Sequence, residues 1–150
     1  MAMHAVVYSV IAGDLAVTNQ ATGREIWRGR FGGAPVLKCV GLSDADDCIV
    51  LLDQRGEEPT RNIIRVTANG AVVWRASAPP VPGGYIDLRV ENGSLLASSW
   101  SGYLIRLDTK TGATLERFVR SYDSATGGYA NHQCHIHRRD EPGLLRPGPG

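Results

Sequence analysis

The chain has 150 residues, which is long enough for one domain with an ordinary hydrophobic core. Sixteen lysines and arginines stand against 15 aspartates and glutamates, so the net charge of +1 gives no electrostatic reason to expect binding to nucleic acid or to an anionic membrane. No apolar run approaches the roughly 18 residues needed to span a bilayer, and we therefore expect a soluble, cytoplasmic protein.

Short strands separated by glycine turns are predicted along most of the chain. The first group covers residues 5–11, 15–18 and 25–30, and it is one strand short of a four-stranded sheet. The second group covers residues 36–42, 48–52, 62–67 and 71–75. The third group covers residues 85–91, 94–100 and 103–107, with a fourth strand after Gly112.

A repeated turn motif organises these strands. Gly23, Gly70 and Gly112 are each followed by an aliphatic residue at the third position and by an arginine at the fifth. A tryptophan occupies the fourth position in the first two copies, as Trp27 and Trp74, and Glu116 replaces it in the third. The steps of 47 and 42 residues between the glycines match the period of four-stranded propeller blades, which is about 40–50 residues.

The apolar pattern predicts that these sheets are covered on both faces. Residues 48–52 are apolar at every position, whereas a strand with one wet face would alternate. We therefore predict an all-β, propeller-like stack of about three four-stranded antiparallel blades, with very little helix. The blades are expected at about residues 1–31, 34–77 and 84–120 of a repeat domain that covers residues 1–120. Residues 121–150 are expected to form a polar C-terminal segment, partly strand or disordered.

Residues 15–117 resemble the repeat of the quinoprotein-type, PQQ-like propeller family. Asp108-Thr109-Lys110-Thr111-Gly112 is similar to the aspartate-led turn of that repeat, and Thr22-Gly23-Arg24-Glu25-Ile26-Trp27 is similar to the turn with its docking tryptophan. The resemblance implies that Trp27 and Trp74 dock against the adjacent blade and that Gly23, Gly70 and Gly112 form the turns. It implies no quinone cofactor, because three blades make no complete central funnel and the ligands are not found.

Three blades cannot close into a ring by themselves. A homodimer would supply six blades and so make one six-bladed ring from two chains, with the exposed end faces as the interface, which is the partner arrangement we favour. Two alternatives stay open at this point: the polar tail or a different protein caps the ends, or the chain is a truncated reading frame.

The densest cluster of metal-binding side chains lies near the end of the chain, at His132, Cys134, His135 and His137. In an extended segment His135 and His137 share one face and His132 and Cys134 share the other, so a zinc shell would need His4 or an acidic residue from elsewhere. The alternative interpretation is a polar strand or loop, which could be the strand that the first blade lacks.

No nucleophile elbow, phosphate-binding loop or dinucleotide fingerprint occurs. We therefore expect a non-catalytic protein-interaction or ligand-binding module, without a cofactor, whose rim loops at residues 54–61, 78–84 and 122–131 contact a partner. Trp100, Tyr85 and Tyr129 are the candidate interaction residues. The alternatives are a metal-binding protein or metal-dependent enzyme that uses the histidine cluster, and a small bacterial immunity or inhibitor protein.

Overall fold

The computed structural model describes residues 6–42, 46–80, 82–123 and 128–137, with side chains up to residue 119. These residues form three antiparallel sheets and no helix. The first sheet contains β1 (Val6–Ile11), β2 (Asp14–Asn19) and β3 (Glu25–Gly29) in sequence order. The second contains β4 (Val36–Gly41), β5 (Cys48–Leu52), β6 (Ile63–Val66) and β7 (Val72–Arg75) in the same order.

The third sheet has five strands, which are β8 (Tyr85–Glu91), β9 (Ser94–Ser99), β10 (Tyr103–Leu107), β11 (Thr114–Asp123) and β12 (Gly128–His137). It runs past residue 120, the predicted end of the third blade, because β11 ends at Asp123 and β12 pairs with it. The prediction of an all-β stack of three antiparallel blades is confirmed, with three, four and five strands in successive sheets. The alternative that residues 132–137 complete the first blade is wrong, because β12 joins the third sheet.

The repeated turns align the three blades strand by strand. β2, β6 and β10 precede a turn, and β3, β7 and β11 follow it, so β1, β5 and β9 are also equivalent. Among the described residues, the first blade therefore has no equivalent of β4 and β8, which begin the other two blades. One edge of β1 has no strand beside it among the described residues.

The turns form because short polar side chains and glycine satisfy the backbone locally. The backbone oxygens of Asn19 and Asp108 accept hydrogen bonds from the amides of Gly23 and Gly112, at 2.8 and 2.7 Å. The Asn19 and Asp108 side chains accept further amide hydrogen bonds within their own turns. Gly23 and Gly112 have φ angles of 74° and 80°, a region that glycine enters without a steric penalty.

The core consists of two apolar layers, one between each pair of neighbouring blades. Strand β5 contributes to both layers, because Cys48, Val50 and Leu52 face the first blade and Ile49 and Leu51 face the third. All five residues are buried. Covering both faces of one sheet explains the continuous apolar sequence of this strand, since each buried Å² of apolar surface contributes about 25 cal/mol.

Candidate interaction surface

Trp27 and Trp74 each lie against the turn of the following blade. A Cβ atom at Gly70 would overlap the Trp27 indole, and a Cβ atom at Gly112 would overlap the Trp74 indole. Glycine at these positions therefore allows both a left-handed turn and the close approach of an aromatic ring. We call the face of a blade that lies toward the following blade its front face, and the opposite face its rear face.

The second of these contacts also contains partly buried hydrogen bonds. The indole Nε1–H of Trp74 donates to the backbone oxygen of Thr109 at 2.8 Å, and the guanidinium of Arg65 donates to the same oxygen at 2.7 Å. Arg65 also forms a salt bridge of 2.8 Å with Asp47, and both side chains are mostly buried. The junction between the second and third blades is thus polar at the turn and apolar at the sheets.

The turn at Gly23 has no such neighbour. Its φ angle of 74° resembles that of Gly112, yet a Cβ atom built there would meet no described atom within 4 Å. In the described part of the chain, no side chain therefore packs against the turn at Gly23, whereas a tryptophan packs against the equivalent turns at Gly70 and Gly112.

Two aliphatic side chains on the rear face of the first blade are exposed where the other blades are covered, whereas Ala16 between them is buried. Val7 and Ile11 point away from the core layer that contains Val6, Tyr8 and Val10, and their exposures are 46% and 43%. The equivalent residues in the other two blades have exposures of 0–2%. By strand register these equivalents are Cys48, Leu52, Leu95 and Ser99.

The front face of the third blade differs from this open face. Glu116 stands where the first two blades have tryptophan, and its carboxylate forms a salt bridge of 2.8 Å with Arg106. Leu96 and Leu104 lie on this face and are buried within the chain. The two ends of the stack are therefore chemically unlike each other.

A cavity of about 290 Å³ lies beside the start of β1. Val6 and Tyr8 of β1 line it together with Cys39 and Gly41 of β4. The Tyr8 hydroxyl donates a hydrogen bond to the backbone oxygen of Asp46. Burial, together with nearby acidic groups, raises the pKa of Tyr8 above its ordinary value.

Cys39 and Cys48 are diagonal neighbours on β4 and β5 and are free thiols. The hydrogen bond from Cys48 lowers the pKa of Cys39, while that bond and burial raise the pKa of Cys48. Cys48 is inaccessible in the core, so the pair is part of the packing between the first two blades. The two cysteines are nine residues apart in the sequence, a spacing that indicates no metal or redox site, so only the pairing of β4 with β5 brings them together.

Two of the three predicted rim loops lie together at one end of the stack. The amide of Gly84 donates to the Gln54 side chain at 3.0 Å, which joins residues 78–84 to residues 54–61. Trp100 lies at the same end and is 71% exposed.

Tyr85 is not a surface interaction residue, because its side chain is buried. Its hydroxyl donates a hydrogen bond to the backbone oxygen of Ser77, as a buried tyrosine hydroxyl needs a partner to replace the water that it loses. The Tyr129 side chain lies outside the described residues.

The predicted metal cluster falls on β12. In the backbone register, His137 is opposite Arg117, His135 is opposite Val119 and Cys134 is opposite Arg120. The side chains of His132, Cys134, His135 and His137, and all of His4, lie outside the described residues, so zinc binding there stays a prediction. Within the part of the chain that is described, no three His, Cys, Asp or Glu side chains come together as metal ligands.

No helix that could cross a membrane is found among the described residues.

No curated protein matches the chain. Solved structures match it as a fold, and the chain spans only about a third or less of the length of the following two natural proteins. BamB from Moraxella catarrhalis is 22% identical with a TM-score of 0.52, and the match covers 77% of this chain and 34% of that one. Quinohemoprotein alcohol dehydrogenase from Comamonas testosteroni is 16% identical with a TM-score of 0.57, and the match covers 88% of this chain and 22% of that one.

A third match is the computationally designed Ika8 protein, which is 12% identical with a TM-score of 0.56 over 79% of this chain and 37% of that one. Together these likenesses confirm the predicted resemblance to PQQ-like propeller repeats at the level of the fold. A family model matches residues 40–119, more than half of the chain, and so the chain belongs to the family described as a domain of unknown function, DUF7957.

Proposed function

We propose that the chain is a non-catalytic protein-interaction module that binds through the rear face of its first blade, and that its partner is a second copy of the chain. The observation that carries the proposal is the exposure of Val7 and Ile11, at positions where the second and third blades are fully covered. The pair would bring together six blades.

The shape of this face suits a sheet-on-sheet contact. Between the larger aliphatic residues, this face carries the small side chains of Ser9, Ala16 and Thr18, which make it nearly flat. Sheets pack face to face at about 10 Å when such side chains interdigitate. Burying Val7 and Ile11 completely would contribute about 1.5–3 kcal/mol for each side chain.

The charges on the rear face favour a two-fold pairing with a second copy. Arg28 and Glu25 form an ion pair of 2.9 Å on this face, with both side chains partly exposed. A two-fold axis close to this pair would place Arg28 of each copy near Glu25 of the other, so that the patch would be complementary to itself. The net charge of +1 gives little long-range repulsion between copies.

A head-to-tail ring, with the third blade of one copy on the first blade of the other, has less support. Glu116 offers no indole to the empty turn at Gly23, and burial of Leu96 and Leu104 leaves the third blade little apolar surface to contribute. The proposal is therefore a contact between the two rear faces.

Sedimentation equilibrium over a wide range of concentrations tests this proposal. We expect a dimer for the native chain and a monomer for Val7→Asp, because an aspartate in a buried apolar contact would lose its hydration. Val73→Asp is the matched control, since Val73 is 49% exposed on β7, away from the rear face, and this variant should remain a dimer. Circular dichroism establishes that both variants are folded.

A native chain that is monomeric at every concentration would overturn the pairing. Equal weakening by Val7→Asp and Val73→Asp would place the contact elsewhere on the surface. Dissociation of the dimer by Glu116→Lys, on the front face of the third blade, would instead support the head-to-tail ring of two copies, since the contact between the rear faces does not use that face.

A further inference from the structure

The first blade has an open strand edge at a position that the other two blades fill. β4 pairs with β5 and β8 pairs with β9, whereas the equivalent strand β1 pairs with β2 alone among the described residues. We propose that the free edge of β1 binds an extended peptide segment of another protein, which runs antiparallel to β1 and takes the position that β4 and β8 occupy in the other two blades. The inference needs neither the open rear face nor a second copy of the chain.

The backbone of β1 has hydrogen-bonding capacity for such a segment. All six of its residues are in register with β2, from Val6 opposite Asn19 to Ile11 opposite Asp14. In an antiparallel pair every second residue directs its N–H and C=O toward the partner strand, and the residues between direct theirs to the other side. Those groups of β1 have no backbone partner among the described residues, so they form a template for strand addition.

Space for part of the segment exists next to this edge. The cavity of about 290 Å³ is lined by Val6, Val7 and Tyr8 of β1 and by Cys39 and Gly41 of β4. It lies between β1 and the neighbouring blade, where side chains from an added strand would enter. Its lining is mixed, with apolar side chains from the strands and acidic groups from residues 46 and 47.

The two strands that fill the equivalent position define the sequence that fits. β4 and β8 both contain a bulge after their first residue, and in both the first residue is buried and the second is an exposed aliphatic residue. The third residue is charged and the fourth is apolar. The equivalent pairs, in order, are Val36 and Tyr85, Leu37 and Ile86, Lys38 and Asp87, and Cys39 and Leu88.

The charge of the third residue follows from the contact between these strands. Lys38 and Asp87 occupy the same position in neighbouring blades, and their side chains form a salt bridge of 2.9 Å. A strand added to β1 lies one blade before β4. Its third residue would therefore lie beside Lys38 as Lys38 lies beside Asp87. The ammonium group carries three donors, which leaves capacity for a second carboxylate. The partner segment is therefore extended, apolar at its first and fourth residues and acidic at its third.

A synthetic peptide that copies residues 85–91 is the direct probe, since it has this pattern. We expect saturable one-to-one binding to the full chain by calorimetry. The same peptide with Asp87→Lys should bind about tenfold more weakly, because attraction to Lys38 becomes repulsion. The chain with Lys38→Glu should reverse this preference. A scrambled peptide controls for composition, and every peptide change leaves the protein intact.

Hydrogen exchange measured by NMR identifies the binding mode. Alternate amides between Val6 and Ile11, those that do not bond β2, should exchange more slowly when the peptide is bound. Amides of β8 should keep their protection, since loss there would mean that the peptide replaces the native strand. Failure of the peptide to bind, or protection confined to another strand edge or to the rim loops, would overturn the proposal.

Discussion

Trp74 and Gly112 form the contact that joins the second and third blades at their turns. The indole ring lies where a Cβ atom of residue 112 would stand, and its Nε1–H donates to the backbone oxygen of Thr109 at 2.8 Å. The equivalent contact of Trp27 with Gly70 joins the first and second blades. The stack is therefore held by apolar sheet packing and by one aromatic contact at each junction.

Gly112→Ala should lower the free energy of unfolding by about 2–4 kcal/mol, because the methyl group both strains a backbone at φ 80° and overlaps Trp74. Gly23→Ala is the matched control. Its φ of 74° carries the same kind of strain, but no described atom lies within 4 Å of the added methyl group, and the expected loss is about 1 kcal/mol. Urea denaturation measures both values, and equal losses would show that the aromatic contact contributes nothing.

Trp74→Ala should destabilise the fold by about 3–5 kcal/mol, since it removes a buried aromatic side chain and leaves a cavity between two blades. Trp100→Ala removes a side chain of the same size that is 71% exposed, and we expect a change within about 0.5 kcal/mol. Thermal unfolding followed by circular dichroism compares the two. A large loss in the Trp100 variant would contradict the exposed position of that side chain.

Arg65→Ala should cost about 2–3 kcal/mol, because it breaks a mostly buried salt bridge with Asp47 and leaves the oxygen of Thr109 with one donor fewer. Arg55→Ala breaks a salt bridge of similar length with Asp53, but the Arg55 side chain is 78% exposed and water replaces the contact. We expect almost no change for that control. We expect the loss of unfolding free energy caused by Arg65→Ala to be nearly the same in chemical denaturation at low and at high salt. A loss that becomes much smaller at high salt would indicate that the ion pair is exposed.

Stability should fall in alkaline solution because of Tyr85. Burial raises the pKa of this phenol above its ordinary value of 10.0, so the folded protein keeps the proton while the unfolded chain releases it as the pH rises past about 10. The contribution is fully present below pH 10 and decreases above it, by up to about 1.4 kcal/mol per pH unit.

The measurement is the free energy of unfolding between pH 8 and pH 11, compared with that of Tyr85→Phe. The variant should lose stability at pH 8, because the oxygen of Ser77 loses its hydrogen bond, but should show a shallower decrease at high pH. Parallel curves for the two proteins would mean that Tyr85 titrates normally in the folded state.

Much of the fold could be predicted from the sequence because turns and strand patterns are local. The strand predicted at residues 48–52 is observed as Cys48–Leu52, and the glycines at positions 23, 70 and 112 all have positive φ angles. A glycine turn requires only its own backbone and the polar side chain that precedes it. Continuous apolar sequence likewise reports that both faces of a sheet are buried.

The surroundings of each residue could not be predicted in this way. Tyr85 is a tyrosine beside a glycine pair in the sequence, yet it lies in the core because β8 packs against the second blade. The order of the strands in each sheet, and not the composition of any segment, places β1 at the edge of the first blade and pairs β12 with β11.

The repeat, the number of blades and the position of the turns could be predicted from the order of the amino acids, since each depends on residues close together in the chain. The exposure of Val7 and Ile11, and the position of β1 at the edge of its sheet among the described residues, follow from the packing of the blades. Exposure and strand pairing depend on contacts between residues far apart in sequence, and equivalent segments such as β1 and β5 differ only in what lies beside them.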